Sequence, residues 1–373
     1  MSTINTKRVS LGDPVPWFRA QNVLGQTVDL HVAAGRWVIL AFLGSLADPQ
    51  AQKRLAMLVE RAASFTNDHL IIYAVLASPP ENLDQILAMS SPVLNFIADY
   101  DGALGAYYGA DEKPRTIALD PMLRAIANIE WDHPEGHDNI LNRPLADLPS
   151  VDNSAGVPLT APALIVPRVF DFPLCELLVG LYDKVGGTDS GFLYDQDGMT
   201  STVIDHKRKR RTDMVIALPE LRARIRDRIV TRLLPAVELY FQFKATRMDR
   251  YMVSRYDSET GGHFFRHRDN LNAGAEHRRF AVSINLNGGY DGCDLIFPEF
   301  GRRTYRAPVG GAIVFSCGAL HEVTPITKGN RYAFIPFLYN EEDAKKRMDN
   351  NARLHTDEAQ YKGISDHLYP EEV

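Results

Sequence analysis

The chain has 373 residues, 45% of them hydrophobic and 24% charged, with a formal net charge of −6. That length predicts two domains with ordinary cores, and the acidic balance argues against a chain devoted to nucleic acid while leaving room for a local basic patch. Cys175, Cys293 and Cys317 are widely spaced, which excludes a disulfide framework or a zinc-thiolate cluster.

The opening segment MSTINTKRVSLGDPVPWF has no apolar core of the kind a signal peptide carries. No stretch approaches the roughly 18 apolar residues of a membrane span. A cytoplasmic, reducing compartment is therefore expected.

Apolar runs rich in β-formers follow, at Trp37–Leu43 and Leu70–Ala77. Between them, about Pro49–Phe65, Leu55, Leu58, Val59 and Ala62 recur at helical spacing. Further runs at Val93–Ala98 and Thr116–Leu119 complete an alternation of strand and helix that predicts an α/β domain over 1–145. Residues 132–162 are rich in Pro, Asn, Asp and Gly, with 146–162 expected as the linker proper. Helices are expected at Pro173–Lys184 and Pro219–Phe241, the second with a stripe of Leu221, Ile225, Ile229 and Leu233. From Arg250 to Leu338 short strands alternate with turns (RYMVSRY, RFAVSINL, CDLIFP, GAIVFS, RYAFIPFLY), which predicts an all-β sandwich or jelly roll within a 163–340 domain. A polar tail covers 341–373.

The chemistry concentrates in this second domain. His267 and Asp269 are separated by one residue, so on a strand both side chains project to one side while Arg268 points away. His321, from a distant strand, completes a face of two histidines and one carboxylate. Such a face leaves three metal positions open, as non-haem Fe(II) oxygenases require. Arg331 lies downstream in HEVTPITKGNRYAF, and a guanidinium fork there suits the far carboxylate of 2-oxoglutarate. His321 and Arg331 are expected on adjacent strands joined by the turn Thr327-Lys328-Gly329-Asn330.

At these residues the chain resembles the prolyl hydroxylase branch of the Fe(II)/2-oxoglutarate oxygenases. RYDSETGGHFFRHRDN is similar to that family's turn into His-x-Asp, HEVTPITKGNRYAF to its distal histidine and arginine, and GGYDGCDLIFPEFG to the hairpin between. The resemblance covers roughly 165–340. It implies a double-stranded β-helix with supporting helices. It also implies Fe(II), 2-oxoglutarate and O2 as cofactor and cosubstrates, and hydroxylation of an unactivated C–H with release of succinate and CO2. Tyr256 matches a tyrosine that helps bind 2-oxoglutarate, and Asn285 falls at another contact where an aromatic hydroxyl is usual. The intact Asp269 argues for hydroxylation, since halogenating relatives replace it. The substrate is left open among a prolyl residue of a protein, an amino acid and another small molecule.

The first third resembles a peroxiredoxin or thioredoxin-like domain in LGDPVPWF, GQTVDLHVAAGRWVILAFLGS and RTIALDPMLRAI. No cysteine precedes Cys175, and Ser45 cannot replace a peroxide-reactive thiolate. The domain is read as a scaffold, docking or homodimerisation module. The rival functions are a metal-bound sensor using the same pocket and a redox adaptor acting through this first domain.

Other features receive plainer readings. The run Lys207-Arg208-Lys209-Arg210-Arg211 is expected to be a solvated loop, with a lid or acidic-partner dock as the alternative. Cys317 is expected in the core, His277 on the surface, and His263 in a strand or turn without a metal role.

Overall fold

A computed structural model describes residues 9–111, 113–131, 148–196, 198–354 and 367–369. Positions 146–147 of the expected linker and most of the tail beyond 354 lie outside the described residues. Residues up to Ala161, together with Phe297–Arg303, group into one compact unit; Pro162–Ile296 and the residues from Thr304 onward form the other.

The first unit is built on seven strands: β1 (Arg19–Asn22), β2 (Thr27–Asp29), β3 (Trp37–Gly44), β4 (Leu70–Leu76), β5 (Leu94–Ala98), β6 (Arg115–Leu119) and β7 (Ala125–Glu130). They lie in the order β2-β1-β5-β4-β3-β6-β7. β3 and β4 are parallel partners in the middle of the sheet, and WVILAFL and LIIYAVL are buried along their whole length. A strand covered on both faces has no polar side to alternate with, which is why these runs read as continuous apolar stretches. The helix Pro49–Ala62 starts where the sequence predicts: Asp48 caps it through Gln50 N–H, and Ala51, Leu55, Leu58 and Ala62 face the core. Within the same unit Trp37 Nε1 donates to Pro149 O at 3.0 Å and Val151 is buried.

The second unit contains β8 (Ala163–Val166), β9 (Thr188–Asp189), β10 (Phe192–Gln196), β11 (Met199–Val203), β12 (Lys209–Arg210), β13 (Thr212–Val215), β14 (Arg247–Asp249), β15 (Met252–Asp257), β16 (His263–His267), β17 (Phe280–Asn285), β18 (Asp291–Gly292), β19 (Leu295–Ile296), β20 (Thr304–Tyr305), β21 (Ala312–Ser316), β22 (His321–Val323), β23 (Ile326–Lys328), β24 (Asn330–Phe334) and β25 (Phe337–Tyr339). The larger sheet runs β14-β25-β17-β24-β15-β13-β9, with β21 and then β8 continuing from β17. The smaller sheet runs β12-β16-β22-β19-β20.

Helices Phe172–Val185 and Pro219–Phe241 cover the outside of the larger sheet. Leu174, Leu178, Leu221, Ile225, Ile229, Leu233 and Val237 pack there against Val253, Val282, Ile284, Val314 and Phe334. Because strand side chains alternate, the neighbours Ala281, Ser283, Arg331 and Ala333 must point the other way, into the space between the sheets. The first helix is tied to the second at its cap. Asp171 accepts from Leu174 N–H and pairs with Arg224 at 3.3 Å and Arg228 at 3.1 Å. The predicted single helix over 219–241 contains a π-turn at Ile229–Leu233. Pro235 comes two residues after its end; lacking an N–H, it cannot complete the regular ladder one turn back.

Candidate metal centre and its cavity

β16 and β22 are antiparallel neighbours, and their register sets His267 directly opposite His321. Asp269 lies just beyond the end of β16 rather than on it. Its N–H donates to Cys317 O at 2.9 Å, and Arg278 Nη1 donates to its carbonyl at 3.3 Å, so the turn aims the carboxylate back at both histidines. Asp269 Oδ1 lies 3.4 Å from His267 Nε2, and Oδ2 lies 3.4 Å from His321 Nε2. One ligand atom from each of the three residues falls within 4.8 Å of the others, so the group could hold a metal ion.

The donor set fits a divalent transition metal. His267 Nδ1 lies 2.7 Å from Phe265 O, and His321 Nδ1 lies 3.1 Å from Ala319 O. Each carbonyl takes a proton on Nδ1 and leaves the Nε2 lone pair facing Asp269, the outer-shell arrangement that orients a metal-ligating histidine. Burial, then the neighbouring His267, lowers His321 to about 4, so its imidazole is neutral at ordinary pH. For Asp269, burial works against ionisation, but His321 and His267 outweigh it and hold the carboxyl below its usual range. Phe264 stacks on His267 with ring centroids 3.5 Å apart, and Phe315 meets His321 edge-on at 4.6 Å.

A cavity between the two sheets joins this triad to Tyr256, Ser283 and Arg331. Arg331 is not on a strand adjacent to His321, as the turn at 327–330 suggested. That turn joins β23 to β24; β24 belongs to the larger sheet and β22 to the smaller. The two residues face one cavity because the sheets face each other. Arg331 is 5% exposed. Its Nη2 donates to Ser283 Oγ at 2.8 Å, its Nη1 lies 3.8 Å from Cys293 Sγ, and its Nε has no partner. An orphaned buried donor beside a metal face suits an anion reaching in from the metal. Tyr256 is fully buried, with the Arg331 and Arg211 guanidinium carbons 5.7 and 5.8 Å from its ring centre.

Asn285 does not reach the cavity lining. Its Nδ2 donates to Asn287 O and Ala307 O, and its Oδ1 accepts from Tyr290 OH at 2.9 Å. A buried amide with those three bonds made braces the strand end and the loop that carries Tyr290. His263 also stands apart from the metal group, its ring nitrogens facing Gly261 O and Lys207 O. His277, expected on the surface, is 2% exposed and lies 3.4 Å from Asp249 Oδ2. Cys317 is buried, as expected of a core residue.

The basic run is not uniformly solvated. Lys207 and Arg208 are exposed, but Lys209 and Arg211 are buried and line the cavity. Lys209 Nζ donates to Ser190 Oγ and Gly191 O at 2.7 and 2.6 Å, and Arg211 Nη2 pairs with Asp213 at 2.7 Å. The period-two spacing of Lys209, Arg211 and Asp213 was a signal that one face of the run turns inward. Arg250 also lines the cavity, and nothing in its sequence context marks it.

Comparison with known proteins agrees with both halves. Residues 251–339 match the family model of the 2OG-Fe(II) oxygenase superfamily, and residues 11–126 match the AhpC/TSA family. The chain thus carries a region similar to the AhpC/TSA family ahead of a region similar to the 2OG-Fe(II) oxygenase superfamily. A PKHD-type hydroxylase of Nitrosomonas europaea is 32% identical over 94 residues, which is 23% of this chain and 41% of that protein. One from Gluconobacter oxydans is 31% identical over 110 residues, 26% of this chain and 47% of that protein. The chain therefore spans less than half the length of each of these relatives. A Pseudomonas putida prolyl-4-hydroxylase structure aligns with a TM-score of 0.37 at 15% identity, covering 51% of this chain and 96% of the other. Among the described residues, no helix is long and apolar enough to cross a membrane.

Proposed function

We propose that the second unit is a cytoplasmic Fe(II)- and 2-oxoglutarate-dependent hydroxylase, with a substrate among prolyl residues, amino acids and other small molecules. The observation that carries this reading is the single cavity in which two histidines and a carboxylate stand opposite a buried arginine with an unfilled donor. When bound, ferrous iron and 2-oxoglutarate supply the oxidising power from O2: one oxygen atom enters succinate as CO2 leaves, and the other passes to a substrate C–H.

The chain's own residues provide the geometry. His267, Asp269 and His321 would hold the metal. Arg331, steadied by Ser283, takes the far carboxylate of 2-oxoglutarate, and Tyr256 closes the wall beside it. Phe264, Leu295, Phe315, Val323 and Ile335 complete an apolar lining that keeps water from the reacting end. The first unit, without a cysteine, is a scaffold, docking or homodimerisation module.

The test is full-length protein with Fe(II), carbon-labelled 2-oxoglutarate and 18O2. Labelled succinate carrying one 18O atom is expected, formed slowly without a substrate and faster with one. Tight binding of Fe(II) and 2-oxoglutarate without any succinate would favour the metal-bound sensor instead.

A further inference from the structure

Arg250 occupies an unusual position. Its φ is +60°, in the left-handed region that a residue with a Cβ enters only at a steric cost. Strain of this kind persists where the surrounding fold over-determines it, often beside a binding site. The side chain lines the cavity that holds the triad, and the guanidinium carbon sits 4.9 Å from the centre of the Phe337 ring.

The carboxylates that could neutralise it are engaged elsewhere. Asp249, its chain neighbour, faces His277 and accepts from Phe337 N–H at 3.2 Å. Asp213 accepts from Arg211, Ser190 and Ser254. Asp269 faces the two histidines. Among the described residues, no side-chain hydrogen bond and no ion pair engages the Arg250 guanidinium.

The cavity's charge makes this informative. Lys209, Arg211, Arg250 and Arg331 line it, against Asp269 alone. Asp213 pairs with Arg211 from behind the wall, and Lys209 donates to the neutral oxygens of Ser190 and Gly191 with its ammonium 4.9 Å from the centre of the Phe264 ring. On the reading proposed above, a divalent metal and a dianionic cosubstrate cancel one another, and the cosubstrate's far carboxylate lies on Arg331. Arg250 then has nearby only Asp249 and Asp213, both bonded to other groups, and Lys209 shares the field of Asp213 with Arg211. Arg250 is half-buried, and a guanidinium that faces the pocket with no hydrogen-bonded partner of its own is free to receive an anion that enters it.

We propose that Arg250, supported by Lys209, receives a carboxylate of the substrate, so that this site acts on a carboxylic acid. This rests on the oxygenase reading for the occupants of the other end. The acid could be a free small molecule or an Asp or Glu side chain of a peptide; the chemistry at Arg250 is the same.

Acetate is the probe, with acetamide as its uncharged twin. Full-length protein is loaded with Mn(II) and saturated with 2-oxoglutarate under argon, and 13C relaxation of the probe is followed. Acetate is expected to show a saturable relaxation enhancement that acetamide lacks. Arg250→Gln should weaken acetate binding about tenfold or more, the worth of one charged hydrogen-bonding partner in a desolvated site. Arg250→Lys should recover part of it. Arg250→Gly, which relieves the left-handed strain, should match or exceed the wild type in thermal stability and still lose the acetate effect. A purely structural arginine would give the reverse.

N-Acetylglycine and a doubly capped glutamate separate the sources, since enhancement confined to the first means a free acid and to the second a peptide side chain. Equal enhancement by acetate and acetamide overturns the proposal. So does acetate enhancement unchanged in Arg250→Gln, the result for acetate bound directly to the metal. If the wild type takes up neither Mn(II) nor 2-oxoglutarate, the oxygenase reading fails. Saturation transfer to the acetate methyl group in metal-free protein then still reports whether Arg250 binds a carboxylate.

Discussion

Replacing Arg331 by methionine tests the cosubstrate end of the cavity. The arginine is 5% exposed, holds Ser283 Oγ at 2.8 Å, leaves Nε without a partner and forms no ion pair with a carboxylate among the described residues. Its charge in the ligand-free protein is therefore poorly compensated, and an incoming carboxylate would form paired, charge-assisted bonds in a dry setting. Losing such a partner costs roughly 2–5 kcal/mol. The dissociation constant of 2-oxoglutarate should accordingly rise about thirtyfold to several thousandfold. Anaerobic calorimetry on Mn(II)-loaded protein measures it, with Mn(II) affinity as the internal control.

A second signature separates binding from architecture. Because methionine fills much of the same volume without a buried charge, the ligand-free variant should melt at or above the wild-type temperature. Stabilisation by 2-oxoglutarate should be lost. If 2-oxoglutarate affinity stays within about threefold of wild type, Arg331 is not the anchor; a contact worth 2–5 kcal/mol could not vanish so quietly.

Three further outcomes are expected. His267→Ala, His321→Ala and Asp269→Ala should each weaken Mn(II) binding, read by electron paramagnetic resonance, by more than the roughly 10–100-fold typical of outer-shell changes; near-normal affinity in any of them would remove that residue from the ligand set. Burial, opposed by the Asp249 hydrogen bond, lowers His277 from 6.5 to about 4 in the folded protein. Between those values the unfolded chain binds a proton that the native state refuses, so stability is intact above pH 6.5 and falls as pH drops towards 4. At pH 5 the loss should be roughly 2 kcal/mol, and denaturant titration of His277→Gln should show a shallower pH dependence than the wild type; identical slopes would discard the assignment. Finally, metal-free protein should not consume hydrogen peroxide at the expense of a thiol reductant. The unit matching the AhpC/TSA family has no cysteine, and burial raises the Cys175, Cys293 and Cys317 thiols; peroxide loss that scales with protein concentration would demand another nucleophile.

The sequence by itself determined most of the elements and singled out the candidate donors that the structure brings together. Trp37–Leu43 and Leu70–Ala77 could be read as central strands because burial on both faces leaves no polar positions. His267, Asp269, His321 and Arg331 could be read because metal and carboxylate chemistry admits few side chains in so short a segment. Local rules went no further than the ends of the elements they describe. Asp269 lies past its strand, held by a bond to Cys317 O, and Pro235 follows a π-turn where a plain helix was expected. Only the tertiary structure decided which side chains share the cavity. It placed Arg331 on the sheet opposite His321, turned Lys209 and Arg211 inward from a run that looked solvated, and buried His277 against Asp249. It drew Asn285 into a hydrogen-bonded brace and brought in Arg250, which no motif marks. The physical reason is that a strand's own pattern states which residues share a face, whereas what that face meets depends on the pairing of segments far apart in the chain.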